Sequence, residues 1–154
     1  MVKSTTNEQA LEQAIERALT GTCLEDISLQ GGNVIEDPRE GYMSGNGFYI
    51  GRADDFSAKY ALDEVRFWSF LEETQAEELQ KLQQASDWRL RIMERYDRMV
   101  RRHGVLRLLK KGLDVDDAHF TLFYQTPMAS SSQQVKDNYE SNQFSVTRQV
   151  KYNQ

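Results

Sequence analysis

The chain has 154 residues, enough for one domain with a real core, and its 39% hydrophobic and 28% charged residues suit an ordinary folded protein. No run of about 18 apolar residues exists, the opening MVKSTTNEQ lacks the apolar stretch of a secretory signal, and Cys23 stands alone, so a membrane span, a leader and an internal disulfide are excluded and a cytoplasmic location is expected. The formal charge of −5 argues against a protein that coats nucleic acid wholesale, but Arg89 to Lys111 hold nine basic and two acidic residues, a local +7 that leaves −12 elsewhere.

The first element predicted is a helix over about residues 7–20. Thr5 and Glu8 have capping-box spacing, Leu11, Ala14, Ile15, Ala18 and Leu19 recur on one apolar face, and Gly21 stops the helix. Residues 21–55 hold Gly31-Gly32, Asp37-Pro38, Gly41, Gly45, Gly47 and Gly51, which reads as a long irregular segment with a short hairpin around GNGFYIG. It is not a phosphate loop, because the chain's one Lys-Ser or Lys-Thr dipeptide is Lys3-Ser4.

Residues 61–111 read as mostly helical. Ala61, Val65 and Trp68 share a face with Leu62 at its edge, and Thr74 with Glu77 repeats the capping-box spacing before EELQKLQQ. Ser86 is placed as the cap of a helix from Asp87 to about Arg102, with Trp88, Ile92, Tyr96, Met99 and Val100 on its core side. Gly104 interrupts, and VLRLLKK makes a short helix closed by Gly112. AHFTLFY follows as a strand, MASSSQQVKDNYESN as a polar or partly helical connection, and Phe144, Val146, Val150 and Tyr152 alternate with polar residues as a half-buried strand. Arg148 is the one polar residue on that strand's apolar side. With no strand after it, pairing with AHFTLFY could supply part of its sheet, though two strands alone are marginal, and the end reads as cut.

Two features carry chemistry. Arg91, Arg95, Arg98 and Arg102 fall within about 60° of one another at helical spacing, a stripe about three turns long that suits phosphate oxygens along a backbone. A solvated face explains the same residues, since Glu94–Arg98 and Asp97–Arg101 have the spacing of ordinary helical ion pairs. Glu8, Glu12 and Glu16 form an i,i+4 ladder on the first helix: Glu8 caps, Glu16 points away from the apolar arc, and Glu12 sits at its boundary. His103, the pair His119 and Asp117, the serines 130–132 and Asp116-Asp117 give no zinc site and no exposed nucleophile; Asp116-Asp117 reads as an acidic turn.

NEQALEQAIERALTG, GNGFYIG, YALDEVRFWSFLEETQAEEL, VDDAHFTLFY and SSSQQVKDNYESNQFSVTRQVKY together resemble the N-terminal region of the restriction (R) subunit of type I restriction–modification enzymes, over about Asn7 to Tyr152. The resemblance implies an α+β, helix-rich and incomplete restriction-endonuclease-like domain of the PD-(D/E)xK class. It also implies an Mg-dependent nuclease, an ATP-driven DNA-translocating motor elsewhere in the subunit, and DNA, specificity and methylation subunits as partners. Glu12 in ALEQAI matches the family's first-helix acidic residue, which makes it the catalytic and metal-ligand candidate. The Asp and Glu-x-Lys of the family are missing: none of the seven lysines has Asp or Glu two residues earlier. Residues 1–154 are therefore expected to be the N-terminal part of such a nuclease domain, truncated before those motifs, without the motor and inactive alone. The alternative is a small non-enzymatic helical module that binds DNA or a partner through the Arg91–Arg102 stripe, with the four stripe arginines as its DNA contacts.

Overall fold

A computed structural model describes residues 3–29 and 48–148. Most of the glycine-rich segment, from Gly31-Gly32 to Gly47, and the positions Val150 and Tyr152 of the final alternation lie outside the described residues. Seven α-helices and six short strands are described: α1 (Lys3–Thr20), α2 (Leu24–Leu29), β1 (Phe48–Ile50), β2 (Phe56–Ser57), β3 (Leu62–Asp63), α3 (Glu64–Thr74), α4 (Ala76–Leu82), α5 (Trp88–His103), α6 (Val105–Lys111), β4 (Leu113–Val115), β5 (Ala118–Phe120), α7 (Gln133–Glu140) and β6 (Phe144–Val146), with a 3-10 turn at Ala53–Asp55. Helix and strand are mixed, as α+β requires. The chain divides into two units, residues 1–69 with 143–154 and residues 70–142.

In the first unit, α1 packs against β1 and β6. These two strands pair in parallel, with Phe48 opposite Phe144 and Ile50 opposite Val146. The Phe48 and Phe144 rings lie 5.5 Å apart, centroid to centroid. The turn of the hairpin expected around GNGFYIG lies outside the described residues. One expectation falls here: the last strand pairs with β1 instead of AHFTLFY. A parallel partner so distant in sequence leaves no turn signature between the two strands.

Helix α1 begins before Thr5, which therefore lies inside the helix and cannot be its N-cap. Its far end is as expected: Gly21 has φ +84° and donates its N–H to the Arg17 carbonyl at 2.8 Å. Its orientation is not. Leu11, Ala14, Ile15 and Ala18 are exposed, whereas Glu16 and Thr20 are buried. The Thr20 hydroxyl donates back to the Glu16 carbonyl, 2.8 Å away, so it carries its own partner into the interior. Asp63 begins α3, accepting the Arg66 N–H at 3.0 Å on one oxygen and the Ser145 hydroxyl at 2.9 Å on the other. That one carboxylate both caps a helix and ties it to β6.

The second unit has the more apolar interior, with Phe70, Leu71, Leu79, Leu82, Ile92, Tyr96, Leu113 and Phe120 among its buried residues. Gln75 is the N-cap position of α4, and Thr74 instead turns its hydroxyl back to the Phe70 carbonyl at 2.6 Å. The expected Thr74–Glu77 capping box is therefore not made. Helix α5 starts at Trp88 with Asp87, not Ser86, at its N-cap, and Met93 joins Ile92 and Tyr96 in the core. Gly104 and Gly112 close α5 and α6 with φ +82° and +79°. At Gly112 a Cβ would come within 2.6 Å of the Phe120 carbonyl oxygen, so the position demands glycine twice over.

Strands β4 and β5 form a hairpin around the turn Asp116-Asp117, where Asp116 takes φ +52°. Leu113, Val115, Ala118 and Phe120 point inward, and Asp114 and His119 outward. The expected strand AHFTLFY stops at Phe120 because side chains, not a strand, meet its continuation. The Gln75 amide accepts the Thr121 N–H and donates to the Thr121 carbonyl, both at 2.7 Å. Asn142 does the same for Tyr124, at 2.9 and 2.7 Å. Two carboxamides thus satisfy backbone groups that would otherwise need a neighbouring strand. Ser132 caps α7, accepting the Val135 N–H at 3.4 Å.

Candidate functional site

Three glutamates of the first unit converge on one arginine. Arg148 follows β6 and its side chain is only 9% exposed. Its Nε donates to Glu12 Oε2 at 3.2 Å, and its Nη1 lies 2.8 Å from Glu25 Oε2 and 3.4 Å from Glu16 Oε1. Glu12 and Glu16 come from successive turns of α1, and Glu25 from the first turn of α2. The short turn after Gly21 brings α2 back beside α1, a placement that Arg17 and Asp26 reinforce at 2.9 Å. Glu16 Oε1 also accepts the Leu24 N–H at 2.8 Å, so a side chain of α1 caps α2.

The electrostatics follow from this geometry. A buried guanidinium is tolerable only when countercharge surrounds it. Three carboxylates do so here, and hydrogen bonding to Glu25, ahead of the smaller contribution of Glu12, holds the Arg148 pKa above its ordinary value. The same hydrogen bond lowers Glu25 from 4.5 to about 2. Cys23 lies in this cluster and is fully buried, and burial pushes its thiol pKa up.

Of the predicted first-helix residues, Glu12 is half-buried and bonded to Arg148, close to the boundary position expected of it. Glu16 overturns its expectation: instead of pointing to solvent it is 0% exposed. Helical periodicity placed it opposite the apolar arc, but Glu16 and the half-buried Glu12 face Arg148, which needs their countercharge, while Glu8 stays exposed. Glu25 was not singled out from the sequence. The signal that could have found the cluster was Arg148 itself, the one charge on the apolar side of the last strand.

In the second unit the predicted arginine stripe divides. Arg91 lies 3.0 Å from Asp87 and 3.6 Å from Asp116. Arg95 donates its Nε to the Asp114 carbonyl at 3.1 Å, pinning α5 to β4. Arg98 and Arg102 are exposed and have no salt-bridge partner among the described residues, so the Glu94–Arg98 pair expected from spacing is not formed. Asp97 and Arg101 do pair, at 3.0 Å. An open groove of about 500 Å³ runs beside the stripe, lined by Arg91, Arg95 and Arg98 but also by Glu94, Asp114 and Asp116. Beyond Arg95 the His103 pKa is lowered, first by lost hydration and then by the charges of Arg107, Arg102 and Arg95. His119 pairs with Asp114, Nδ1 to Oδ1 at 2.6 Å across the hairpin, rather than with Asp117.

No family model, no curated protein and no solved structure matches the chain. Among the described residues, no helix is long and apolar enough to cross a membrane.

Proposed function

We propose that the chain is the N-terminal part of a restriction-endonuclease-like nuclease domain of a type I R subunit. It would contribute Glu12 to an Mg-dependent DNA endonuclease whose Asp and Glu-x-Lys lie in other residues of that domain. One observation carries the reading. Glu12, on the first helix, is held at 3.2 Å by Arg148, just beyond the strand that in such nucleases leads into the metal-binding hairpin. Support also comes from α1 lying on a parallel pair of strands, the kind of helix-on-sheet arrangement such a domain begins with.

Magnesium needs several oxygen ligands, so Glu12 by itself would assist a site built elsewhere. In this reading the hydrogen bond from Arg148 holds the Glu12 carboxylate in place. ATP belongs to the motor, DNA is the substrate, and the specificity and methylation subunits are the partners. The test is Glu12→Ala in an intact R subunit carrying this region. Loss of cleavage with ATP-driven translocation retained supports the assignment; unaltered cleavage removes Glu12 from the catalytic set.

A second reading, a non-enzymatic DNA-binding helical module, is favoured by the exposed Arg98 and Arg102, which have no salt-bridge partner among the described residues. It locates phosphate contacts at the C-terminal half of α5, while Arg91 and Arg95 serve the fold. Salt-dependent binding of duplex DNA by the chain alone, lost on replacing Arg98 and Arg102, would favour it.

A further inference from the structure

We propose that Glu16, Cys23 and Glu25 form a binding site for a divalent transition-metal cation of the zinc type. One carboxylate oxygen from each glutamate and the Cys23 sulfur lie within 4.8 Å of one another, with Glu16 and Cys23 buried and Glu25 half-buried. An acidic cluster alone would not distinguish a site from a network of ion pairs. A second observation does. Glu16 is 0% exposed, and although Oε1 is engaged by Leu24 and Arg148, Oε2 has no hydrogen-bond partner among the described residues. A fully buried, unpartnered carboxylate oxygen is costly enough that it calls for a ligand.

Arg148 reaches Glu16 through Oε1, so that guanidinium does not occupy Oε2.

The donor set selects the metal. One sulfur and two carboxylate oxygens suit a borderline-soft, four-coordinate ion such as Zn²⁺, with water in the fourth position. Magnesium prefers oxygen alone. The proposal therefore differs from the nuclease reading in ligands and in ion, and stands or falls without it.

Without metal the thiol is held neutral by its burial. Binding forms a sulfur–metal bond and breaks the S–H bond, releasing the proton to solvent. Affinity should accordingly rise about tenfold per pH unit while the thiol is protonated.

The experiment titrates Co²⁺, as a spectroscopic stand-in for Zn²⁺, into the purified chain after chelator treatment. The expected result is a near-ultraviolet sulfur-to-cobalt charge-transfer band that saturates at one ion per chain and is bleached by Zn²⁺. Cys23→Ser should abolish the band, and Glu25→Gln should weaken cobalt binding at least tenfold. Glu16→Gln tests the buried ligand, and Glu25→Gln serves where that variant fails to fold, circular dichroism reporting on both. A folded wild-type chain with no charge-transfer band overturns the proposal. So does a band of unchanged affinity in Glu25→Gln, which would mark an isolated thiol binding cobalt adventitiously.

Discussion

Arg148 Nη1 lies 2.8 Å from Glu25 Oε2 although 123 residues separate them in the chain. That contact, with those to Glu12 and Glu16, fastens the segment after β6 to both N-terminal helices. It also explains why α1 turns Glu12 and Glu16 inward and leaves Leu11 and Ile15 exposed. A guanidinium buried against leucine and isoleucine would be uncompensated, whereas the same guanidinium among carboxylates is neutralised.

Arg148→Met should therefore be strongly destabilising, by about 3–5 kcal/mol, because it strands Glu16 as a buried charge. Urea denaturation reads this as a lower midpoint at unchanged slope. Glu16→Gln added to Arg148→Met should restore part of the loss. A single-variant change below about 0.5 kcal/mol would mean that the cluster contributes no stability.

Acid should weaken the same cluster. Glu25 has its folded-state pKa lowered from 4.5 to about 2, so its contribution is fully present above about pH 4.5 and is lost as pH falls towards 2. Because 36% of its side chain is exposed, solvent screening reduces the contribution to about 1 kcal/mol. Stability measured across that window should decline less steeply in Glu25→Gln than in the unmodified chain. Parallel pH profiles would show that the ion pair adds nothing.

Gln75→Ala should cost about 1–3 kcal/mol by leaving the Thr121 N–H and carbonyl without their shared partner. Gln75→Glu retains an acceptor for the N–H and loses the donor, so it should fall between the two. Amide hydrogen exchange at Thr121 is the sharper readout, because the Ala variant should accelerate it locally. Unaltered exchange there would mean that solvent already competes with the carboxamide.

If the stripe binds DNA as proposed, Arg98→Ala with Arg102→Ala should weaken duplex-DNA binding and reduce the salt slope by about 2, the loss of two phosphate contacts. Arg91→Ala should instead act on stability and leave the slope alone, because Asp87 and Asp116 already hold that guanidinium. Equal effects from the two substitutions would return the whole stripe to a single role.

What the sequence determined by itself is local. Gly21, Gly104 and Gly112 end their helices because a positive φ is cheap only without a Cβ, and that signal needs no distant partner. The core side of α5, the short helix before Gly112 and the Asp116-Asp117 turn were legible for the same reason. Glu12 at the edge of its helix was legible from periodicity, and the capping assignments at Thr5 and Thr74 failed because spacing alone does not reveal where a helix begins. The tertiary structure decided which face of α1 is buried, which strand β6 joins, and how far AHFTLFY continues as a strand. Periodicity defines the faces of a helix but not which of them meets the interior. In α1 that choice depended on a charge 136 residues from Glu12, and in AHFTLFY on the Gln75 and Asn142 carboxamides that take a neighbouring strand's place.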